Sequence, residues 1–198
     1  MTSAAAAAAG EECRSYQRSF PDVRHLQPAE CQAMLRSPGR VTLVDCRSDA
    51  ERAVSMLPHA EGPSALERQH DPEVPCVIYC TVGFRSSLAA RKFAASGRAP
   101  EAGVWSMAGI LPWSHEGGEL VDPATGAPTK RVHLFGSKWA AMAPVGYDVE
   151  VFPALPMGRQ FLRVGLSVAS DLSRRLFRAL GDAIRWLLCF ERVQPRTL

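Results

Sequence analysis

Short apolar runs alternate with helix-like segments through the first half of the chain. Three runs have the length and continuous apolar character of buried strands: Val41–Val44, Val74–Tyr79 and Val104–Ser106. The segments around them carry helix signals, with Pro28 in a first turn and a capping-box spacing at Ser48 and Glu51. Two further helices are predicted over Ser86–Ser96 and Ile110–Glu116. Strands that alternate with helices indicate an α/β fold with a central parallel sheet flanked by helices.

The same pattern divides the chain into four parts. Residues 1–19 have no apolar period, so we predict a mobile N-terminal tail. Residues 20–121 contain the alternating pattern and form the predicted domain. Residues 122–156 are rich in turn residues and proline, which indicates an irregular extension and connector with one extended segment within Arg131–Trp139. Residues 157–192 are predicted to form an amphipathic C-terminal helix.

This predicted C-terminal helix has two different faces. Leucine and alanine recur at three- and four-residue steps from Leu162 to Leu187, while arginines occupy another face. Eight arginines against three acidic residues give the segment 159–198 a charge of +5, which leaves −2 for the rest of a chain whose net charge is +3. Three roles stay open for the apolar face: docking on the domain, lying on an anionic membrane surface, or pairing with a protein partner. The body of the chain is too weakly charged to predict a nucleic-acid partner.

Composition limits the function classes further. The 198 residues are 46% hydrophobic and 22% charged, which excludes a largely disordered, collagen-like or multi-span membrane chain. The six cysteines are scattered and contain no Cys-x-x-Cys pair, so we expect neither a disulfide scaffold nor a zinc site. No metal or other cofactor is expected. A cytoplasmic location with free thiols follows as the default prediction.

One loop carries reactive chemistry. Cys80 ends a predicted strand, and ligands of open α/β sheets bind at the carboxyl ends of strands. Gly83 permits the curvature by which backbone amides converge on one point, the helix that starts near Ser86 directs its dipole there, and Arg85 adds a positive charge. All three effects favour a thiolate, so Cys80 is the predicted nucleophile. We expect its sulfur to be open to solvent and surrounded by inward-pointing amides.

These residues resemble the active-site loop of rhodanese-like sulfurtransferases. The similarity covers roughly Phe20 to Val121 and includes three segments: Tyr79 to Ser86, Leu43 to Arg47 with Glu51 and Leu57-Pro58, and Trp105 to Trp113. The resemblance implies a rhodanese fold in which Cys80 accepts a sulfane sulfur as a persulfide and Arg85 helps to bind an anionic donor such as thiosulfate. It implies that the loop stabilises the persulfide through the amides of Thr81, Val82, Gly83, Phe84 and Ser86.

The length of the loop separates relatives of this fold. Cell-cycle phosphatases and some arsenate reductases have five residues between cysteine and arginine, whereas four lie between Cys80 and Arg85. Because the smaller cradle suits a sulfur atom, the leading hypothesis is a sulfurtransferase that passes sulfur to a thiol or cyanide acceptor. The alternative is a non-catalytic rhodanese-like binding module that tethers a complex or a membrane surface. The second alternative is a phosphatase or arsenate reductase.

Four residues near the loop have structural interpretations. Asp45 and Arg47 are predicted to support the loop from a neighbouring strand by bonding to backbone or to each other. Cys46 has a position from which it can resolve a Cys80 persulfide or disulfide, but we favour a core-filling role for it. His59 stands where related turns have glycine, and a positive φ there costs it about 1 kcal/mol.

Overall fold

The computed structural model describes residues 4–36, 40–68 and 70–152. Its helices are α1 (Ala4–Arg18), α2 (Pro28–Leu35), α3 (Asp49–Val54), α4 (Phe84–Ala94), α5 (Ile110–His115) and α6 (Ser137–Ala140), with a 3-10 helix at Pro63–Glu67. Its strands are β1 (Arg24–Leu26), β2 (Thr42–Asp45), β3 (Cys76–Tyr79), β4 (Val104–Met107), β5 (Arg131–His133) and β6 (Asp148–Glu150).

Four strands form a parallel sheet in the order β1-β4-β3-β2. Strands β2 and β3 run in register from the pair Thr42–Cys76 to the pair Asp45–Tyr79. Every residue of β3 is buried, as expected for a strand with both faces covered. The predicted central parallel sheet flanked by helices is therefore confirmed. Strand β1 was not predicted because its sequence, Arg-His-Leu, contains no apolar run.

The predicted start of helix α3 is confirmed in its details. The Ser48 backbone N–H donates to Glu51 Oε2 at 3.0 Å, and the Glu51 N–H donates to Ser48 Oγ at 3.4 Å. Each side chain thus satisfies a backbone donor that the first turn of a helix leaves without a partner.

The turn at His59 also has the predicted backbone conformation. His59 has a φ of 62°, and no other non-glycine residue of the described ranges has a positive φ. A side chain in this region costs roughly 1–2 kcal/mol relative to glycine. The turn therefore keeps its shape despite an unfavourable residue.

Helix α1 replaces most of the mobile tail that was predicted for residues 1–19. Alanine has the highest intrinsic helix propensity, and residues 4–9 are all alanine. Ala9, Cys13 and Tyr16 recur at steps of four and three residues, so they share one helix face. Ala9 and Cys13 are fully buried in the main hydrophobic core, against which Tyr16 packs. The prediction failed because the short side chains of this face give a weak apolar signal.

The predicted irregular extension contains a second sheet. Strands β5 and β6 pair in parallel from Arg131–Asp148 to His133–Glu150. Strand β5 begins the extended segment predicted within Arg131–Trp139, and α6 interrupts that segment. Val132 and Leu134 are completely buried in the same core as the main sheet. The extension therefore contributes to the core.

The predicted amphipathic helix at residues 157–192 lies outside the described residues. Within the ranges that are described, no helix is both long enough and apolar enough to cross a membrane. The same ranges contain no group of three or more His, Cys, Asp or Glu side chains that could hold a metal ion.

Candidate active site

The loop that follows β3 holds Cys80 at the carboxyl end of the parallel sheet. The start of α5 fixes this loop, because the N–H groups of Ile110 and Leu111 donate to the carbonyl oxygens of Cys80 and Thr81 at 2.8 and 3.1 Å. Gly109 allows this approach, since a Cβ at that position would collide with the Thr81 carbonyl group. The loop is thus held from behind by backbone contacts that tolerate little movement.

Several hydrogen-bond donors converge on the Cys80 sulfur. The Gly83 N–H donates to Sγ at 3.2 Å, and the Ser86 hydroxyl lies 3.6 Å from it. Gly83 has a φ of 92°, a left-handed conformation that turns its amide toward the sulfur. Burial by itself raises the pKa of Cys80, but the neighbouring Cys46 thiol, the Arg85 charge and the Ser86 amide and hydroxyl hold that pKa well below its usual range. The arrangement favours a thiolate.

The Cys80 side chain is closed off from solvent, so the expectation of an open sulfur is wrong. Cys80 is only 1% exposed, and the adjoining Thr81 and Val82 are 1% and 5% exposed. Helix α1 covers the loop: the Tyr16 ring packs edge-on against Phe84 with ring centres 5.4 Å apart. The prediction went wrong because it treated this helix as a mobile tail. In this arrangement no molecule from solvent contacts the sulfur directly.

The charge of Cys80 affects the pKa values of two α1 side chains, Cys13 and Tyr16. Burial first, and then the nearby charge of Cys80, raise the pKa of Cys13 to about 12. Burial, the neighbouring Glu12 and the Cys80 charge raise the pKa of Tyr16 to about 12. Both groups stay protonated at neutral pH, so α1 adds no negative charge beside Cys80 from these positions.

Arg85 is bound to a carboxylate and does not face an open anion site. Its Nη1 and Nη2 donate to Glu51 Oε2 and Oε1 at 2.8 and 2.7 Å, and Nη2 also donates to Thr81 Oγ1 at 3.0 Å. The guanidinium carbon lies 4.8 Å from the centre of the Phe135 ring. Arg85 still contributes positive charge to the Cys80 thiolate. An anionic donor that uses this arginine has to compete with Glu51.

Sequence reasoning missed the second role of Glu51 and the contribution of the β5 strand. Glu51 was identified only as a helix cap and family residue. Its side chain is 3% exposed and also lies 3.3 Å from His133 Nδ1. His133 itself is 1% exposed, with its ring centre 4.1 Å from that of Phe152. No local pattern connects His133 with Cys80, because a long stretch of chain separates them.

Asp45 and Arg47 lie together beneath the strand ends. The Arg47 Nε and Nη2 groups donate to the Asp45 carboxylate at 3.0 and 2.7 Å, and Nη2 also donates to the Ser55 carbonyl at 2.6 Å. Both side chains are completely buried. The predicted mutual hydrogen bonds are present, and they fix the end of β2 beside Tyr79, the residue that precedes Cys80.

Comparison with solved structures finds similar chains at low sequence identity. A thiosulfate sulfurtransferase from Pseudomonas aeruginosa is 18% identical, with a TM-score of 0.48 over 66% of this chain and 26% of that one. The chain thus spans about a quarter of that protein. A polysulfide-sulfur transferase homodimer from Wolinella succinogenes is 21% identical, with a TM-score of 0.44 over 57% of this chain and 88% of that one.

A third similar structure bears a different name. A protein of unknown function from Rhodopseudomonas palustris, described as a possible tyrosine phosphatase, is 25% identical, with a TM-score of 0.41 over 56% of this chain and 91% of that one. No known family profile and no curated protein matches the chain. The four-stranded parallel sheet, its flanking helices and the cysteine loop between β3 and α4 make this an α/β fold with a central parallel sheet.

Proposed function

We propose that the chain is a rhodanese-like sulfurtransferase that moves a sulfane sulfur from a donor such as thiosulfate to a thiol or cyanide. The observation that carries the proposal is the set of donors around the Cys80 sulfur, which includes the Gly83 amide and the Ser86 hydroxyl. These donors stabilise the thiolate, which is the nucleophilic form of cysteine. The same donors are available to the negative charge of a persulfide.

The reaction has two displacement steps. The Cys80 thiolate attacks the outer sulfur of thiosulfate, the sulfur–sulfur bond of the donor breaks, and sulfite leaves with the bonding electron pair. A nucleophilic acceptor then attacks the terminal sulfur of the Cys80 persulfide, and the Cys80 thiolate leaves. A thiolate with a low pKa is a good leaving group, so the donors that activate Cys80 in the first step also favour the second step.

The burial of Cys80 adds an opening step before the donor binds. Helix α1 has to move away from the loop, and its buried contact side chains Ala9 and Cys13 are small. Exposing apolar surface to water costs about 25 cal/mol per Å², and small side chains expose less of it than leucines do. Helix α1 can therefore move away from the loop without unfolding of the sheet.

Mass spectrometry of the thiosulfate-treated protein tests the proposal. In samples quenched early after mixing we expect a gain of about 32 Da on the Cys80 peptide, and with cyanide present during the reaction we expect thiocyanate. Cys80→Ser should lose both signals. Cys76→Ser is the matched control, because Cys76 is a buried cysteine at the other end of the same strand and should leave both signals unchanged.

Absence of the adduct, of thiocyanate and of released sulfide from the wild-type reaction would overturn the proposal. The same preparation should be assayed with a phosphate ester. Hydrolysis that depends on Cys80 would support a phosphatase in its place.

A second candidate function is a non-catalytic binding module, and two observations favour it. Cys80 is 1% exposed, and the donors of Arg85 are held by Glu51. In this case the Cys80 loop has no catalytic role, and Cys80→Ser leaves the cellular role of the protein unchanged. Loss of that role in Cys80→Ser, with the fold intact by circular dichroism, rejects the module.

A further inference from the structure

Cys46 and Cys80 occupy equivalent positions at the ends of neighbouring parallel strands. Asp45 and Tyr79 are the last paired residues of β2 and β3, and each cysteine follows directly. The Cys46 N–H donates to the Tyr79 carbonyl at 3.0 Å, so the pairing continues one residue beyond the strands. Neighbouring strands lie about 4.8 Å apart, and residues in register project to the same face. A disulfide requires Cα atoms roughly 4.4–6.8 Å apart, which this register supplies.

The two sulfur atoms have complementary protonation states. The Cys80 sulfur on the neighbouring strand, and then burial, raise the pKa of the Cys46 thiol well above its usual range. Cys80 therefore favours the thiolate and Cys46 favours the protonated thiol. A protonated thiol thus lies in register with the sulfur that is proposed to carry the persulfide.

The two cysteines differ in exposure. Cys80 is 1% exposed, whereas Cys46 is only partly buried. Acceptors in solution cannot contact Cys80 while α1 covers the loop, but Cys46 lies beside it on the neighbouring strand. Cys46 is also the less buried residue of the pair.

We propose that Cys46 is a second catalytic residue, which resolves the Cys80 persulfide by forming an internal Cys46–Cys80 disulfide and releasing sulfide. This inference rests on the proposed sulfurtransferase function, since it requires a persulfide on Cys80. It assigns to Cys46 the resolving role and not the core-filling role favoured from the sequence.

The step balances without an external oxidant. The Cys46 sulfur attacks the Cys80 Sγ atom, the bond between Sγ and the outer sulfur breaks, and the outer sulfur leaves as hydrosulfide. The proton of the Cys46 thiol passes to the departing sulfur. The sulfane sulfur is reduced to sulfide, and the two cysteine thiols are oxidised to one disulfide.

An external thiol then restores the enzyme at the Cys46 end of the disulfide. The thiolate attacks the Cys46 sulfur, and Cys80 leaves as its stabilised thiolate. A second thiol of the same class resolves the mixed disulfide and returns Cys46 to its thiol form. A leaving thiolate of low pKa speeds such exchange, so the donors around Cys80 direct the attack toward Cys46. The product of the full cycle is sulfide, formed at the expense of two thiols.

The experiment uses the full chain, fully reduced and held under anaerobic conditions, with one equivalent of thiosulfate. Released sulfide is quantified, and the acid-quenched, alkylated protein is analysed by intact mass and by peptide mapping. Wild type is compared with Cys46→Ser and Cys46→Ala. Cys13→Ser is the matched control, because Cys13 is a buried thiol close enough to sense the Cys80 charge.

The expected result separates the variants by mass. Wild type and Cys13→Ser should release about one equivalent of sulfide and end about 2 Da lighter, with a cross-linked Cys46–Cys80 peptide. Both Cys46 variants should retain about 32 Da on Cys80 and release at least tenfold less sulfide. Continued transfer of sulfur to cyanide shows that the variants are folded at the site. If the Cys46 variants do not fold, the presence or absence of the Cys46–Cys80 cross-link in wild type decides whether Cys46 resolves the persulfide.

Three outcomes would overturn the inference, and one of them also overturns the function. A stable gain of about 32 Da in wild type, with no cross-link, leaves the sulfurtransferase in place and removes the role of Cys46. A cross-link between Cys13 and Cys80 also removes it. No added mass and no sulfide in any of the proteins removes both the function and the inference.

Discussion

Arg85 and Glu51 form a two-pronged ion pair that ties the Cys80 loop to helix α3, with N–O distances of 2.8 and 2.7 Å. The same Glu51 carboxylate accepts the backbone N–H of Ser48 and lies 3.3 Å from His133 Nδ1. One buried side chain thus connects the Cys80 loop, the capping box and the second sheet. Burial raises the pKa of Glu51, but the bonds from Arg85 and Ser48 and the nearby His133 lower it by more and hold it well below its usual range.

Glu51→Gln should destabilise the protein by about 2–4 kcal/mol, because it leaves the largely buried Arg85 guanidinium without its counter-charge. Urea unfolding at neutral pH measures this change. Asp49→Asn is the control in the same first turn: Asp49 is 95% exposed, and its substitution should change the stability by less than about 0.5 kcal/mol. Equal effects of the two substitutions would show that the Arg85–Glu51 pair contributes little.

The stabilisation by Glu51 should depend on pH in a defined direction. Its pKa is lower in the folded chain than in the unfolded chain, so the ionised carboxylate favours the folded state. The contribution is fully present above the unfolded pKa of about 4.3 and is lost as the pH falls below it toward the folded pKa. The stability difference between wild type and Glu51→Gln should therefore be constant from about pH 6 to 8 and shrink below about pH 4. A difference that grows on acidification would contradict this assignment.

Lifting helix α1 should expose Cys80 to alkylation. Ala9→Asp places a carboxylate at a position with no exposure, which costs several kcal/mol and should loosen α1 from the loop. We expect the alkylation rate of Cys80, followed by peptide mass spectrometry, to rise at least tenfold. Ala8→Asp adds the same charge at an exposed position of the same helix and should leave the rate unchanged. Similar rates in both variants would mean that α1 is not the cover.

The Ser86 hydroxyl should lower the pKa of Cys80 measurably. Ser86→Ala removes this donor and should raise that pKa by about one unit, or about 1.4 kcal/mol. The thiolate absorbance that is lost in Cys80→Ser reports the titration. Ser87→Ala is the control, because the Ser87 hydroxyl donates to the Gly83 carbonyl at 2.7 Å. A shift of the same size in Ser87→Ala would assign the effect to the loop backbone and not to the Ser86 hydroxyl.

Relief of the unfavourable backbone at His59 should stabilise the protein. His59→Gly should add about 0.5–1 kcal/mol to the free energy of unfolding, since glycine adopts a positive φ without a Cβ clash. Ala60→Gly is the neighbouring control. Ala60 does not have a positive φ, so glycine there should destabilise the protein by a similar amount. Chemical denaturation gives the free energy of unfolding of both variants. A loss of stability in His59→Gly would contradict the proposed strain.

Where the sequence predicted the fold correctly, the signal was local. The buried run that ends at Tyr79 defines β3, and the spacing of Ser48 and Glu51 defines the start of α3. Each of these features depends on residues that are neighbours along the chain, so a single sequence is sufficient to find it.

Tertiary contacts decided the rest. Helix α1 covers the Cys80 loop because Ala9 and Cys13 pack into the main hydrophobic core. Their short side chains give no sign of this packing in the sequence. The pairing of Glu51 with Arg85, and the neighbouring positions of Cys46 and Cys80, arise because two strands far apart in sequence end at one edge of a sheet. The sequence alone was sufficient to predict Cys80 and its loop as the candidate site. Only the folded chain determined that this sulfur is covered and which thiol lies beside it, because side chains distant in sequence meet only after the sheet has formed.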